Sequence, residues 1–376
     1  MLHVRLLEDG GQEPLEVAWE VAGFLADAQA TLDLALYDLR LTAGVAAPVR
    51  DALAHAVRRG VRVRLMHNVD HRGPIPVPRP SGWWPEALAG VEGIAVKSIP
   101  GIPDLMHHKC VVRDAGTPAG AVWTGSTNWT DDAWAREENV VVTVGSERVA
   151  AAYAAHLERL WRTEDVAAAV DAKPVPVDVG HAEVRTWFCP AQGPELSHRI
   201  ARTIRRARHR VRACSPIVTS GPIVSTLCEV VAERRVDVAG LLDTTQMQEV
   251  LEQWALAGTS SWKIGAVLHL LREAPFAGKA STPWAPGSVH DYMHAKLVVA
   301  DDVVFAGSYN LSHSGERNAE DVLEIRDAHL ADRLAAWIDE TAARYPFAEL
   351  RDPRPGRRAR HDWPARPGRH GQRGRR

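Results

Sequence analysis

Residues 107–114 read His-His-Lys-Cys-Val-Val-Arg-Asp, and residues 294–301 read His-Ala-Lys-Leu-Val-Val-Ala-Asp. Both segments carry the pattern His-x-Lys-x4-Asp, in which x is any residue. The apolar residues after each lysine indicate a β-strand, and alternate residues of a strand point to the same face. We therefore expect His107 and Lys109 to project into one space, an imidazole beside a fixed positive charge. His294 and Lys296 repeat this arrangement in the second segment.

Each segment is followed by two further matching elements. The motif Gly-Ser-x-Asn occurs at 125–128 and again at 307–310. In each copy a glutamate, Glu138 or Glu320, lies ten residues after the asparagine of that motif. The same order of elements in both halves of a chain is the signature of an internal repeat, and duplication is the economical explanation.

Upstream of each motif the hydrophobic pattern predicts a strand, a helix and a second strand, over residues 31–66 and 211–242. Two strands joined by a helix are usually parallel. The sequence thus predicts an α/β protein of two homologous domains, each a mixed, mostly parallel sheet flanked by helices. The proline-containing segment 173–180 suits a connector, which predicts a first domain of residues 1–175 and a second of 176–350.

Composition separates the body of the chain from its end. The 376 residues are 45% hydrophobic and carry a net charge of −2, but residues 351–376 hold ten Arg against two Asp. This segment is predicted to be a disordered basic tail, and the rest of the chain is acidic by about ten charges. The N-terminus lacks the apolar core of a signal peptide, and no run of about 20 apolar residues occurs, so a cytoplasmic protein is expected.

The repeated residue types suit phosphodiester chemistry. Cleavage of an anionic diester requires cations and hydrogen-bond donors around the phosphate oxygens. The candidates for this role are Lys109, Lys296, Asn128, Asn310, Ser126 and Ser308. A neutral imidazole can attack phosphorus, and a protonated one can give its proton to the leaving oxygen. Glu138 and Glu320 are the expected acceptors for the second ring nitrogens, and Trp129 is a candidate to contact the substrate.

These motifs resemble those of the phospholipase D superfamily, the HKD family, over roughly residues 20–165 and 195–345. The resemblance implies two halves related by a pseudo-twofold axis, with both His/Lys pairs in one cleft. It implies a reaction through a phosphohistidine without metal or cofactor, with His107 as nucleophile and His294 as acid and base, and the reverse assignment stays open. The aspartate that ends each motif is implied to be structural. With both motifs in one chain, no obligate oligomer is implied.

The motifs leave the substrate open. Members of the resembled family act on phospholipids, by hydrolysis or phosphatidyl transfer, and on nucleic acids. The acidic body weighs against a nuclease, which binds a polyanion. Tryptophans in the predicted loop 71–84 and in the matching region 244–287 suit a lipid interface. The basic tail suits an anionic membrane or nucleic acid.

A phospholipid enzyme, free in the cytoplasm or peripheral at the inner membrane face, is therefore the favoured prediction. A nuclease is the alternative. A noncatalytic binding protein that keeps the fold is the third hypothesis, and the two intact His/Lys pairs weigh against it.

Overall fold

The computed structural model describes residues 1–69, 88, 90–168, 173–285 and 287–355. The strands of the first repeat are β1 (Leu2–Leu7), β2 (Thr31–Leu36), β3 (Leu39–Arg40), β4 (Arg62–Asn68), β5 (Ile94–Ile99), β6 (Lys109–Arg113), β7 (Ala121–Gly125), β8 (Trp129–Thr130) and β9 (Asn139–Gly145). Its helices are α1 (Pro14–Ala26), α2 (Ala43–Arg58), α3 (Asp131–Ala135) and α4 (Glu147–Thr163). The predicted loop 71–84 and the tail from residue 356 onward lie outside the described residues.

The second repeat contains the same succession of main elements, with additions and without described strands that match β3 and β8. Its strands are β10 (Val177–Val179), β11 (Ala182–Cys189), β12 (Arg210–Ser215), β13 (Asp237–Asp243), β14 (Phe276–Lys279), β15 (Leu297–Ala300), β16 (Val303–Gly307) and β17 (Glu320–Arg326). Its helices are α5 (Gly193–Arg206), α6 (Gly221–Glu233), α7 (Thr244–Leu256), α8 (Ser261–Glu273), α9 (His313–Arg317) and α10 (Ala328–Ala342). In the part of the chain described here, no helix is both long and apolar enough to cross a membrane.

Each repeat forms one large mixed sheet. The strand orders are β1-β9-β7-β6-β2-β4-β5 and β10-β11-β17-β16-β15-β12-β13-β14. The predicted strand, helix and strand units are confirmed, and they supply the parallel side of each sheet, β2-β4-β5 and β12-β13-β14. The remaining pairings within these two large sheets are antiparallel. Strands β3 and β8 form a separate two-stranded parallel sheet.

The mixed sheet with flanking helices is thus confirmed, but the expectation that it is mostly parallel was wrong. The motif strand β6 is joined to β7 by a short hairpin, and β15 is joined to β16 in the same way, so these neighbours must run antiparallel. The hydrophobic pattern showed the strands and did not show how the later ones connect.

Three hydrophobic cores hold the layers together. One lies between the first sheet and helices α1 and α2, and a second lies between the second sheet and helices α5, α6 and α8. The third fills the space between the two sheets and contains apolar residues of α4 and α10, such as Leu157 and Ile338. Because this central core draws on both repeats, the sheets are fixed face to face. The boundary near residue 175 stays a prediction, since residues 169–172 lie outside the described chain.

Backbone contacts between the repeats are reciprocal. The His107 N–H donates to the carbonyl oxygen of Ala319 at 2.9 Å, and the His294 N–H donates to that of Glu138 at 3.1 Å. Each motif histidine therefore contacts the residue immediately before the strand that follows Gly-Ser-x-Asn in the opposite repeat. Such pairwise exchange of equivalent contacts is what a twofold relationship produces, as expected for the predicted pseudo-twofold axis.

The aspartates that end the two motifs have matching structural roles. Asp114 and Asp301 both have positive φ angles, of 52° and 50°. The Asp114 carboxylate accepts backbone N–H groups of residues 29–31 at 2.7–3.0 Å. The Asp301 carboxylate accepts those of residues 208–210 at 2.7–3.1 Å. Each aspartate thereby ties its motif strand to the start of the neighbouring strand, β2 or β12, as the resemblance implies.

Candidate active site

The two motif histidines meet in one cleft between the repeats. The cleft has a volume of about 250 Å³ and is lined by His107, Asn128, His294 and Asn310, among other residues. All four lie at or beside strand ends that the pseudo-twofold axis brings together. The geometry therefore assembles half of the predicted catalytic set in one place, with equal contributions from the two repeats.

The motif lysines lie beneath this surface. Lys109 and Lys296 are buried, and each Nζ donates to the carbonyl oxygen of its own motif histidine, at 2.8 and 2.7 Å. Burial lowers the pKa of Lys109 to about 8. Burial, together with the charge of Lys109, lowers the pKa of Lys296 well below its usual value. In their protonated forms the two lysines concentrate positive charge under the floor of the cleft, and a bound anion in turn favours those protonated forms.

The same charges act on the imidazoles. Burial lowers the pKa of His107 well below its usual value, and the nearby charges of Lys109 and Lys296 lower it further. The pKa of His294 is lowered for the same reasons. Both rings are consequently neutral in the free protein at neutral pH. A bound phosphate anion would offset the lysine charges and raise the histidine pKa values again.

Glu320 holds the ring of His107. Both carboxylate oxygens lie 2.9 Å from Nδ1 of His107, and Asn318 Nδ2 donates to Glu320 at 3.2 Å. Burial raises the pKa of Glu320 to about 7, although the Lys109 charge opposes this shift. When Glu320 is ionised its oxygens only accept, so Nδ1 of His107 then carries the proton and Nε2 presents its lone pair. Glu320 thus occupies the position that the sequence predicts.

Glu138 does not do the same for His294, and this expectation was wrong. Glu138 accepts from Lys279 Nζ at 2.9 Å and from the Tyr345 hydroxyl. The Nδ1 atom of His294 lies instead 3.3 Å from a carboxylate oxygen of Glu137 and 3.2 Å from Oδ1 of Asn139. Burial raises the pKa of Glu137.

One additional residue between α3 and β9 explains the error. The backbone N–H of Ser126 donates to the carbonyl oxygen of Val140, and that of Ser308 donates to the carbonyl oxygen of Asp321. Val140 and Asp321 are therefore equivalent positions in the two repeats. Asn139 therefore matches Glu320 in space, and Glu137 matches Asn318: the acid and the amide have exchanged places. A signal was present in the sequence. The helix caps Ser146 and Asp327 are 181 residues apart, but the Gly-Ser motifs are 182 apart, so one residue must be absorbed between them.

The motif serines lie away from the cleft surface, contrary to the prediction that they contact substrate. Ser126 and Ser308 are fully buried. Ser126 Oγ donates to Asn139 Oδ1 at 2.6 Å, and Ser308 hydrogen-bonds to Glu320. Each serine therefore holds the residue that supports a motif histidine.

The motif glycines are required by close packing. A Cβ atom at Gly125 or Gly307 would lie 2.1 Å from the carbonyl oxygen of Val140 or Asp321 on the next strand. Any side chain here would push the two strands apart.

Trp129 is a core residue, so the prediction that it contacts substrate was also wrong. Its side chain is 1% exposed. The ring packs edge-on against Trp123, with centroids 5.7 Å apart, and lies 6.0 Å from the ring of Trp134. Its neighbour Asn128 does face the cleft, and the Oδ1 atoms of Asn128 and Asn310 have no partner among the described residues. An amide oxygen accepts and an amide nitrogen donates, so each side chain can offer its Nδ2–H groups to an oxygen of the substrate.

Three aromatic rings beside the histidines were not anticipated. Tyr37 packs edge-on against His107 with centroids 4.7 Å apart, and Tyr292 lies 6.5 Å from His294 and 5.2 Å from His290. Tyr37 follows β2 directly, at the carboxyl end of a parallel strand, where α/β sheets commonly bind ligands. Applying that rule to the predicted strand would have identified it.

Helix α7 forms a further wall that the sequence analysis missed. It contributes Gln246, Glu249, Val250 and Gln253, which are spaced to share one helical face. Region 244–287, set beside a predicted loop in the sequence analysis, therefore contains helices, and one of them borders the cleft.

A second buried polar cluster lies on the opposite face of the motif strand. His108 Nδ1 is 2.8 Å from Asp321, and His108 Nε2 is 2.9 Å from His156 Nε2. Asp321 also accepts from the hydroxyls of Thr124 and Tyr153. The ligand atoms of His108, Cys110 and Asp321 lie within 4.8 Å of one another, but both ring nitrogens of His108 already have partners. The cluster therefore fits a structural role, in which buried hydrogen bonds to Asp321 hold the two repeats together.

Comparison with known protein families agrees with the division into two repeats. The family model described as "Cardiolipin synthase, PLD-like domain" matches residues 21–161 and again residues 200–342. No curated protein matches the chain significantly.

Solved structures share the fold at low identity. Phosphatidylserine synthase from Haemophilus influenzae is 12% identical with a TM-score of 0.60, and the match covers 93% of this chain and 87% of that one. Polyphosphate kinase from Porphyromonas gingivalis is 13% identical with a TM-score of 0.52, and the match covers 91% of this chain and 50% of that one. Because the family model matches most of the chain, and matches it twice, the protein belongs to the phospholipase D superfamily.

Proposed function

We propose that the protein hydrolyses or transfers the phosphodiester bond of phospholipids through a covalent phosphohistidine. One observation supports this proposal most directly. His107 and His294, which come from different repeats, line one cleft, and Lys109 and Lys296 are buried beneath them. The lysines supply the positive charge that a phosphodiester needs, so this reaction requires no metal.

The reaction has two balanced steps. In the first, His107 Nε2 attacks phosphorus, the bond to the leaving oxygen breaks, and protonated His294 gives that oxygen its proton. In the second, neutral His294 takes a proton from water or an alcohol, whose oxygen attacks phosphorus and displaces His107. Burial and the lysine charges lower the pKa of His294. Substrate binding supports the required protonation, because the phosphate anion offsets the lysine charges. Asn128 and Asn310 line the cleft, where their Nδ2–H groups can donate to the nonbridging oxygens.

The contacts of the two imidazoles favour His107 as the nucleophile. His107 meets both oxygens of a carboxylate at 2.9 Å, whereas His294 meets an amide oxygen at 3.2 Å and a carboxylate oxygen at 3.3 Å. A close carboxylate on Nδ1 increases the electron density at Nε2. The stronger support of His107 therefore suits attack, and the weaker support of His294 suits an exchange of protons.

The cleft wall favours a lipid over a nucleic acid. Among the described residues that line the cleft, none is Arg or Lys, and the α7 wall carries the acidic Glu249. Leu105, Pro216, Ile217 and Val250 add apolar surface. A nucleic acid presents further phosphates on either side of the reacting one and needs cations for them. A phospholipid presents one diester with apolar chains attached, which supports action at a membrane surface. The basic tail is the observation that favours a nuclease as the second candidate.

The test is a substrate comparison with chelator present. The purified protein is incubated with phosphatidylglycerol or phosphatidylethanolamine vesicles, and separately with single- and double-stranded DNA. We expect head-group release, its loss in His107→Asn, and wild-type activity in His55→Asn, which changes an exposed histidine of α2. Quenching wild-type turnover in alkali should reveal a base-stable phosphohistidine. DNA cleavage without head-group release would contradict the lipid substrate, and full activity of His107→Asn would contradict the nucleophile.

A further inference from the structure

We propose that the turn between α7 and α8 is a docking tip that seats the protein on an anionic phospholipid bilayer. The docking tip is residues 255–262. This inference deepens the proposed function, because it rests on a phospholipid substrate and names the surface on which that substrate is met.

The docking tip is uncharged and exposed. It reads Ala-Leu-Ala-Gly-Thr-Ser-Ser-Trp, without Asp, Glu, Lys or Arg. Leu256 is 89% exposed and Trp262 is 56% exposed. Transfer of such exposed apolar side chains out of water lowers the free energy. Because the turn is uncharged, it can enter the interfacial layer of a bilayer without desolvating an ion. Tryptophan also favours the head-group region, where its ring is apolar and its N–H stays wet.

A lysine lies between two tryptophans at the base of the docking tip. Lys263 Nζ is 5.6 Å from the ring centroid of Trp254 and 5.9 Å from that of Trp262. This places one positive charge beside the apolar surface, at the depth where lipid phosphates would lie. The apolar tip thus matches the acyl boundary of an anionic bilayer, and the cation of Lys263 matches the layer of lipid phosphates above it.

The docking tip and the cleft share one helix. The 13 residues of α7 begin at the cleft, where Gln246, Glu249 and Gln253 form its wall, and end at Leu256 in the tip. A helix of this length spans roughly 20 Å. Insertion of the tip therefore brings the cleft wall to the bilayer surface, within reach of a lipid head group.

The described end of the chain lies on the same hairpin. The Arg351 N–H donates to Gln248 Oε1 on α7 at 2.9 Å, and Arg354 donates to the carbonyl oxygen of Ser261 at 3.3 Å. The described residues stop one residue later, at Pro355, and the sequence that follows holds eight Arg against one Asp. The basic segment therefore starts beside the docking tip, where its charge adds to the attraction of anionic lipid.

The first experiment measures vesicle binding without turnover, in the His107→Asn protein. Co-sedimentation with vesicles of phosphatidylcholine and phosphatidylglycerol is compared for this protein and for the added pair Leu256→Ser and Trp262→Ser. We expect the pair to weaken binding about tenfold or more. The matched control is the pair Leu15→Ser and Trp19→Ser on α1, whose side chains are 45% and 63% exposed. Unchanged binding of the tip variant, or equal losses in both pairs, would overturn the docking tip.

The second experiment separates the tip from the basic segment. Removal of residues 356–376 should weaken binding to phosphatidylglycerol vesicles at low salt and matter little at about 1 M salt, where exposed charges are screened. The tip variant should stay impaired at both salt concentrations, because its loss is apolar. Impairment of the tip variant that disappears at high salt would contradict the apolar insertion.

The third experiment distinguishes docking from chemistry. With His107 restored, the tip variant should turn over bis(4-nitrophenyl) phosphate, a water-soluble diester, at the wild-type rate and lose about tenfold on vesicles. Tip-dependent vesicle binding by a protein that cleaves no phospholipid would sink the proposed function and leave the docking tip standing. Equal loss on both substrates would sink the docking tip. Tip-dependent binding of DNA in place of vesicles would assign the surface to nucleic acid and also overturn the inference.

Discussion

Nδ1 of His107 and the carboxylate of Glu320 lie 2.9 Å apart, although the two residues are 213 positions apart and belong to different repeats. The contact is buried and fixes the tautomer of the proposed nucleophile. Glu320→Gln keeps the shape and removes the charge. We expect kcat to fall by about 10²–10⁴-fold, as when the carboxylate behind a catalytic imidazole is lost, and KM to change little. Glu340→Gln, an exposed change on α10, is the control. A wild-type kcat for Glu320→Gln would contradict the assignment.

Adjacent glutamates make a sharp comparison at His294. Glu137 lies 3.3 Å from the ring, whereas Glu138 binds Lys279 and Tyr345. Glu137→Gln should lower kcat about tenfold to a hundredfold. Glu138→Gln should leave kcat nearly unchanged and reduce the free energy of unfolding by about 1–3 kcal/mol, since Lys279 loses a buried partner. Steady-state kinetics and urea unfolding measure the two effects, and the reverse pattern would restore Glu138 as the supporting residue.

Anion binding should be coupled to proton uptake. Both motif histidines have pKa values lowered by burial and by the two lysine charges, so both rings are neutral at pH 7. A bound anion offsets the lysines, and the histidine pKa values rise. Calorimetric titration with tungstate, in two buffers of different ionisation enthalpy, should show uptake of up to one proton per site at pH 7. The uptake should shrink in His294→Asn, and identical enthalpies in both buffers would rule out the coupling.

The buried His156 should make the fold sensitive to acid. Burial, aided by the charge of His108, lowers the pKa of His156 to about 3, against about 6.5 in an unfolded chain. Below about pH 6.5 the unfolded chain therefore takes up a proton that the folded protein refuses. As the pH decreases from about 6 to about 4, this group lowers the free energy of unfolding by about 1.4 kcal/mol per pH unit.

His156→Phe is the matched test, because the ring already stacks on Phe188 with centroids 4.3 Å apart. Urea unfolding at several pH values should show a pH slope smaller by about one proton than in the wild type. His55→Ala, which removes an exposed histidine, should leave the slope unchanged. The same slope in His156→Phe and wild type would show that His156 titrates normally in the folded state.

Local pattern was enough for the parts of the fold that local physics determines. The strand at Thr31–Leu36 and the helix around Leu53 follow from apolar spacing, and the structure has both. The His107 and Lys109 pairing follows from strand alternation. The meeting of the two repeats in one cleft came from the family resemblance, since no local pattern encodes it.

The errors arose where tertiary packing decides. A single added residue before β9 moved the support of His294 from Glu138 to Glu137 and Asn139, because neighbouring strand positions face opposite sides. Trp129 and Ser126 lie within two residues of the cleft residue Asn128 in sequence, yet the side chains of both are buried. The α7 wall has no counterpart among the described residues of the first repeat, so comparison of the two repeats could not reveal it.

The exchange of contacts between repeats also concerns the order in which the chain is made. His107 leaves the ribosome long before residue 320 has been added, so its imidazole has no carboxylate to hold it during most of synthesis. His294, made later, finds Glu137 and Asn139 already present in the finished first repeat. The half-site that is translated first is thus the last to be completed, and a nascent or truncated chain ending before β17 carries an intact His-x-Lys signature without the contact that orients it.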